Sequence, residues 1–338
     1  MGTSKIEWTE ATWNPVTGCT PISEGCEHCY AKRMATRLRG RCGYPVEEPF
    51  QVTVHDERLE QPLKWGAPRK VFVCSMGDLF HEDVSDENLD DVFDVMALAS
   101  HHIFQVLTKR PHRMREYMSR LADRIGYGDL YWECDRDVSG DTDPDFSDAQ
   151  MNRWIKKITR LESGMANVSN LKRDGKPLPN LWLGVTAENQ QRADERIPVL
   201  LDTPAARRFV SVEPMLGPVD LRRAFGTEGP RQTYIEQLDW VICGGETGPG
   251  ARPVHPDWVR SLRDQCQMAG VPFFFKSWGE WGACDQMKIW RPGDRSGVQP
   301  FGDYQVVYRV GKKEAGRRLD GRTWDEEPED VKTPEEGM

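Results

Sequence analysis

The chain lacks a fourth cysteine beside its first three. Cys19, Cys26 and Cys29 fall within the segment "WNPVTGCTPISEGCEHCYAKRM" (13 to 34), while Cys42, Cys74, Cys134, Cys243, Cys266 and Cys284 are scattered through the 338 residues. A second C-x2-C unit is also missing, so the usual zinc knuckle of two such pairs is absent. No apolar run approaches the ~20 residues of a membrane span. The stretch MGTSKIEWTE has no apolar core of a secretory signal, and Gly2 with Ser4 but Glu7 matches a myristoylation signal poorly. Positive charge is in deficit: the net charge is −9, which argues against indiscriminate nucleic-acid binding. Internal repeats and low-complexity blocks are missing too. These absences lead us to expect a soluble, cytoplasmic protein. In that compartment an odd count of nine cysteines, with C-x6-C-x2-C spacing, favours metal or redox chemistry over disulfides.

What is present is a rhythm. Short apolar runs end in small or polar residues: "KVFVCSMGD" (70 to 78), "HIFQVLTKR" (102 to 110), "LWLGVTAE" (181 to 188), "RFVSVEPM" (208 to 215), "DWVICGGE" (239 to 246) and "VPFFFKSWGE" (271 to 280). Near-continuous apolar strands suit a parallel sheet covered on both faces. Helical patterns lie between them. In "SDENLDDVFDVMALAS" Ser85 is placed to cap a helix whose apolar face is Leu89, Val92, Phe93 and Met96. In "HPDWVRSLRDQCQMAG" Pro256 suits a first helical turn and Gly270 a left-handed stop. With one strand before Cys19, the pattern predicts an α/β fold, a full or partial parallel (β/α) barrel of about six to seven repeats over 1–284. Residues 119–179 read as an insertion, a lid or a partly disordered segment. Residues 285–338 read as a small C-terminal extension with a hairpin and a loose end.

In parallel barrels the active site lies at the C-terminal ends of the strands. Those ends here carry Cys19, Cys26 and Cys29; Ser75, Gly77 and Asp78; Thr108, Lys109 and Arg110; Thr186 and Glu188; Ser211 and Glu213; Gly244, Gly245 and Glu246; and Lys276, Trp278 and Glu280. A charge directly after a buried strand is costly unless it is paired or faces a polar cavity. So many around one ring imply a shared polar cavity. The three thiols alone suit zinc with His28 or a distant residue as fourth ligand, an iron–sulfur cluster with one iron left open, or a structural role. His81, Glu82 and Asp83 read as a helix-start cluster or a second metal site. Trp278 and Trp281 read as rim packing or as a stacking platform for a planar ring. The basic runs 31–41, 107–115 and 153–160 read as solvated helix faces or local anion patches.

The segment "WNPVTGC…GCEHCYAKR" resembles the spore photoproduct lyase-like branch of the radical S-adenosylmethionine (SAM) enzymes. The blocks "ATWNPVTGC", "SMGDLFHEDV", "FQVLTKRP", "VEPMLGPVDL" and "GGETGPGARP" resemble the phage Gp37/Gp68 family. The resemblance implies a radical SAM enzyme. Cys19, Cys26 and Cys29 then hold three irons of a 4Fe-4S cluster, and SAM takes the fourth. It further implies SAM contacts at Ser75, Gly77 and Asp78. Gly244, Gly245 and Glu246 fall nearer the adenosyl group or the substrate. Lys109, Glu188 and Glu213 hold ribose, methionine or substrate groups, or else form ion pairs across the barrel mouth. The substrate it implies is unknown in detail, a nucleoside or nucleic acid being one class. Two departures stand out. The first cysteine interval holds six residues where the superfamily has three, and Gly-Gly-Glu follows the sixth strand, not the second. The rival readings are a non-enzymatic zinc- or cluster-binding phage protein with a host partner, and a hydrolase-like barrel with Glu188 and Glu213 as acid and base.

Overall fold

A computed structural model describes residues 4, 6–127, 178–225, 232–283, 297–302 and 305–329. Seven strands form one sheet: β1 (Ala11–Trp13), β2 (Lys70–Val73), β3 (Ile103–Thr108), β4 (Leu181–Thr186), β5 (Arg207–Val212), β6 (Trp240–Gly244) and β7 (Phe273–Ser277). They lie in chain order and every neighbouring pair is parallel. No pairing of β1 with β7 is present among the described residues. The sheet is a curled half-barrel, the partial form of the expected architecture.

The helix α1 (Tyr30–Arg37) follows the cysteine loop, and α2 (Asp86–Leu98), α3 (Pro111–Tyr127), α4 (Gln190–Leu201) and α5 (Pro256–Ala269) cover the outer face of the sheet. The start of α2 is fixed as the sequence suggests, with Ser85 accepting the Asn88 N–H at 3.2 Å. Asn189 caps α4 in the same way through the Arg192 N–H. α5 begins at Pro256 and stops where Gly270 turns left-handed at φ 70°. The β5-to-β6 crossover departs from the rhythm. Its described residues form only two short strands and a 3₁₀ turn, Ile235–Gln237. No described helix is long and apolar enough to cross a membrane. Of the insertion read at 119–179, residues up to Tyr127 continue α3 and residues 128–177 lie outside the described residues.

Two cores follow from strand alternation. The outward residues, such as Val71, Val73, Phe104, Val106, Leu183 and Val210, pack against the helices. The inward residues Phe72, Trp182, Phe209, Trp240, Ile242 and Phe274 fill the half-barrel together with Trp8. Gly184 belongs to this inner face because a Cβ there would stand 2.5 Å from the Phe209 ring. Large side chains thus plug the lower barrel and leave its upper end open.

The chain after β7 returns to the same body. β8 (Trp281–Ala283), β9 (Val298–Pro300) and β10 (Val306–Arg309) form a small antiparallel sheet. Beyond it, Ala315, Leu319 and Trp324 are buried in the outer core. The Phe275 N–H donates to the Trp324 carbonyl at 2.9 Å along the free edge of β7. Lys312 pairs with Glu7 at 2.9 Å, joining the two chain ends across the open side of the sheet.

Candidate functional site

At the C-terminal ends of the strands lies a cavity of about 370 Å³. Cys19, Cys26, Cys29, Ser75, Gly77, Asp78, Lys109, Glu213, Gly245 and Glu246 all line it, with Thr186, Ser211 and Lys276. Its apolar side is Trp8, Phe72 and Leu107, the top of the aromatic plug. Of the candidate strand-end residues, Arg110, Glu188, Gly244, Trp278 and Glu280 stand outside this lining.

The loop between β1 and α1 carries the three cysteines, and its path is set by close backbone contacts. Gly18 has φ 89°, and a Cβ there would meet the Gln51 carbonyl at 2.0 Å. Its N–H donates to Met76 O at 3.0 Å, and it bridges Gly77. A Cβ on Gly77 would in turn stand 2.8 Å from Gly18 O. This explains why "TGC" and "MGD" both carry glycine: the thiol loop and the loop after β2 touch through their main chains. The Cys19 N–H then donates to Phe50 O at 3.1 Å. A 3₁₀ turn, Glu24–Cys26, follows, and Cys29 occupies the position just before α1.

Side chains from three further strand ends hold this loop. After β3, Arg110 is buried and saturated. Its Nε donates to both Glu82 oxygens at 2.9 Å and its Nη1 to Asp78 Oδ2 at 3.2 Å. Nη2 donates to Thr20 Oγ1 at 2.9 Å, and Nη1 also to Cys19 Sγ at 3.3 Å. After β4, Glu188 is fully buried. It accepts from Ser23 Oγ at 2.6 Å and from Arg196 Nη1 at 2.8 Å, with Lys109 Nζ at 3.8 Å. Glu24 meets Arg192 at 2.9 Å, and that guanidinium holds its carboxyl down to about 2. After β6, Arg252 spans Glu246 at 2.6 Å, Glu27 at 3.0 Å and the Glu24 carbonyl at 2.9 Å.

Asp78 is therefore a hub. Its Oδ1 accepts from Thr108 Oγ1 and the Phe80 N–H, and its Oδ2 from the Lys109 N–H and Arg110. Ser75 Oγ donates to Asn14 Oδ1 at 3.2 Å, and Tyr30 OH donates to the Ser75 carbonyl. Glu213 pairs with Lys276 across β5 and β7. His81 takes the structural alternative: its Nδ1 accepts the Asp83 N–H at 3.1 Å and its Nε2 meets Thr20 Oγ1 at 2.8 Å. Trp278 and Trp281 pack at the rim, their indole N–H groups donating to Arg318 O and Ala251 O. Arg252, Arg192 and Ser23 had no part in the sequence-based site. Their partners lie more than 160 residues away in the chain, so only the "GARP" block hinted at one of them.

The donor set can be tested for fit. Cys19, Cys26 and Cys29 are free and half-buried on one wall of the cavity. Burial, reinforced by Asp78, pushes the Cys19 thiol up to about 11 while Arg110 opposes the rise. Cys74 also borders the cavity, but it belongs to the outer core, where burial pushes its thiol up to about 12. Among the described residues no three His, Cys, Asp or Glu side chains form a group that could hold a single metal ion. The His28 ring lies against Gly250. Three thiols bordering one cavity are the donor type that a cluster with one open iron, or zinc with a further ligand, would take.

No curated protein matches the chain. Among solved structures, a cysteine-to-serine mutant of spore photoproduct lyase aligns with a TM-score of 0.38 and 12% identity, covering 93% of this chain and 72% of that one. The same enzyme complexed with dinucleoside spore photoproduct gives 0.36 and 10%, covering 89% and 68%. A double mutant with bound AdoMet and dinucleoside spore photoproduct gives 0.37 and 10%, covering 90% and 69%. Likeness this remote assigns no activity, and the functional reading rests on the residues of the chain itself. A protein-family profile matches residues 3–328, and by that match the chain belongs to the family described as a protein of unknown function, DUF5131.

Proposed function

We propose that the chain is a radical SAM-type enzyme acting on a nucleoside or nucleic-acid substrate. One observation carries the reading: Cys19, Cys26 and Cys29 sit on the loop after the first parallel strand and border the same cavity as the polar ends of the other six. In this reading Cys19, Cys26 and Cys29 would hold a 4Fe-4S cluster that leaves a place for SAM. When bound and given an electron by an external one-electron reductant, that pair would supply reductive cleavage of SAM to methionine and hydrogen abstraction from the substrate.

The chain's own residues do the positioning. Arg110 orients Cys19 through its Nη1–H and fixes Asp78 at the same time. Glu188, through Ser23, and Arg252, through the Glu24 carbonyl, hold the turn that ends in Cys26. Ser75, Gly77 and Asp78 border the same cavity as the thiols, and in this reading they take the methionine end of SAM. Gly245 and Glu246 border it on the β6 side, nearer the adenosyl group or the substrate. The Glu213–Lys276 pair offers one charge of each sign to a polar ligand. The aromatic plug below excludes water from the other end of the half-barrel.

Purification without oxygen tests this. The expected product is brown, holds about four iron and four sulfide per chain, and releases methionine from SAM on reduction. The Cys19→Ala/Cys26→Ala/Cys29→Ala variant is expected to be colourless. Stoichiometric zinc in a colourless wild type would instead support a non-enzymatic metal-binding protein, and metal-free protein would end both readings.

A further inference from the structure

Among the described residues most guanidinium groups are matched to carboxylates; Arg110, Arg192, Arg196, Arg252, Arg260 and Arg263 all are. A basic cluster beside the cysteine loop is not. Lys32, Arg37, Arg39 and Arg41, on α1 and the turn after it, are exposed, and none has a carboxylate partner among the described residues. The only contact of this strip that bears on its charge is Arg41 donating to its neighbour's carbonyl, Arg37 O, at 2.5 Å, which leaves both charges uncompensated. The strip begins at Lys32, three residues after Cys29. Tyr30, just before it, both lines the cavity and is 46% exposed, with its hydroxyl held on the Ser75 carbonyl.

We infer that a nucleic-acid strand docks along this strip, with phosphates on Lys32, Arg37, Arg39 and Arg41 and one base at Tyr30 over the cavity mouth. Phosphate contacts would supply affinity without reading sequence. An aromatic ring beside them is the usual platform for an unpaired base. A membrane surface fits less well, because an interfacial helix needs a broad apolar face. On α1 only Tyr30 and Met34 are exposed apolar residues, while Ala31 and Ala35 point inward. A single strand suits better than a duplex, since a base must leave its stack to reach the cavity. The inference deepens the proposed function and rests on it for what happens in the cavity; docking itself is measured apart from it.

The experiment is fluorescence anisotropy with a labelled single-stranded 15-nucleotide oligomer across a salt series. Iron is assayed in parallel. Four phosphate contacts predict a slope of log K against log salt of about −3. The Lys32→Glu/Arg37→Glu/Arg39→Glu variant is expected to bind at least ~10-fold more weakly with a slope near −1. A Lys64→Glu/Lys313→Glu control, reversing exposed charge elsewhere, is expected to bind as wild type. Equal binding by the strip variant overturns the inference. So does an equal loss in the control, or tighter binding of wild type to phosphatidylserine vesicles than to the oligomer. Oligomer binding by iron-free wild type keeps this inference and removes the radical reading. Iron and SAM cleavage without oligomer binding does the reverse.

Discussion

Gly25 and Glu188 compete for the same space: a Cβ on Gly25 would stand 2.3 Å from Glu188 Oε1. That carboxylate is fully buried, and Ser23 and Arg196 are its direct hydrogen-bond donors. Gly25→Ala is therefore expected to displace Glu188 and cut the Ser23 link, costing about 1–3 kcal/mol for the disturbed buried group. Thermal unfolding should show the loss. Iron uptake during anaerobic reconstitution should fall with it, because Cys26 follows directly. Unchanged melting and unchanged uptake would mean the loop tolerates the methyl group.

Arg252 answers a buried carboxylate. Glu246 is 5% exposed at its side chain, and its three side-chain and main-chain donors all come from Arg252. Arg252→Ala should cost about 3–5 kcal/mol, since it strands that charge. Glu246→Gln/Arg252→Gln should recover part of it. Urea unfolding of Glu246→Gln, Arg252→Gln and the double forms a cycle; additive losses would show that the two residues are not coupled.

Stability should fall in mild acid through His102. Its Nε2–H donates to Pro62 O at 3.1 Å, while Nδ1 is buried without a partner among the described residues. Burial, aided by the adjacent His101, pushes the imidazole down to about 4. The folded state thus binds fewer protons than the unfolded chain between that value and the ordinary ~6.5 of histidine. The stabilisation is complete above pH ~6.5 and is lost as pH falls towards 4. Glu24, held at about 2, loses its share only below the ordinary carboxylate range, so the two steps separate. His102→Gln should flatten unfolding free energy between pH 6.5 and 4; a curve as steep as wild type would assign the acid step elsewhere.

Arg110→Lys keeps a positive charge beside Asp78 but loses the planar fork that reaches Cys19 and Thr20 together. Stability should drop by about 1–3 kcal/mol. In iron-loaded protein the midpoint potential should become more negative, because hydrogen bonds to cluster sulfurs raise it. Potentiometric titration followed by electron paramagnetic resonance measures this. A potential equal to wild type, at equal iron content, would show that the Arg110 contact does not tune the cluster.

Much of the scaffold was legible in the sequence because it is written locally. Each apolar run became a strand of the sheet, Ser85 capped α2, and Gly270 stopped α5. The clustering of polar strand ends was legible as well: Ser75, Asp78, Lys109, Glu213 and Glu246 do border one cavity. What local pattern did not carry is how the charges divide. Glu188 reads in sequence like Glu213, yet one sits behind the cysteine loop and the other faces the cavity, because Gly25 makes room for the first. Arg252 and Arg192 read as ordinary loop and helix basics. Their roles depend on partners at Glu24, brought close only by the curled sheet.

That dependence orders events during synthesis. The thiol loop is made within the first thirty residues, but the groups that shape it arrive with Arg110, Glu188 and, last, Arg252. Loop closure over 228 residues must precede the final clamp. A ribosome-bound chain therefore exposes three unorganised sulfurs for most of translation, and a cluster of the proposed kind would load only onto a finished sheet.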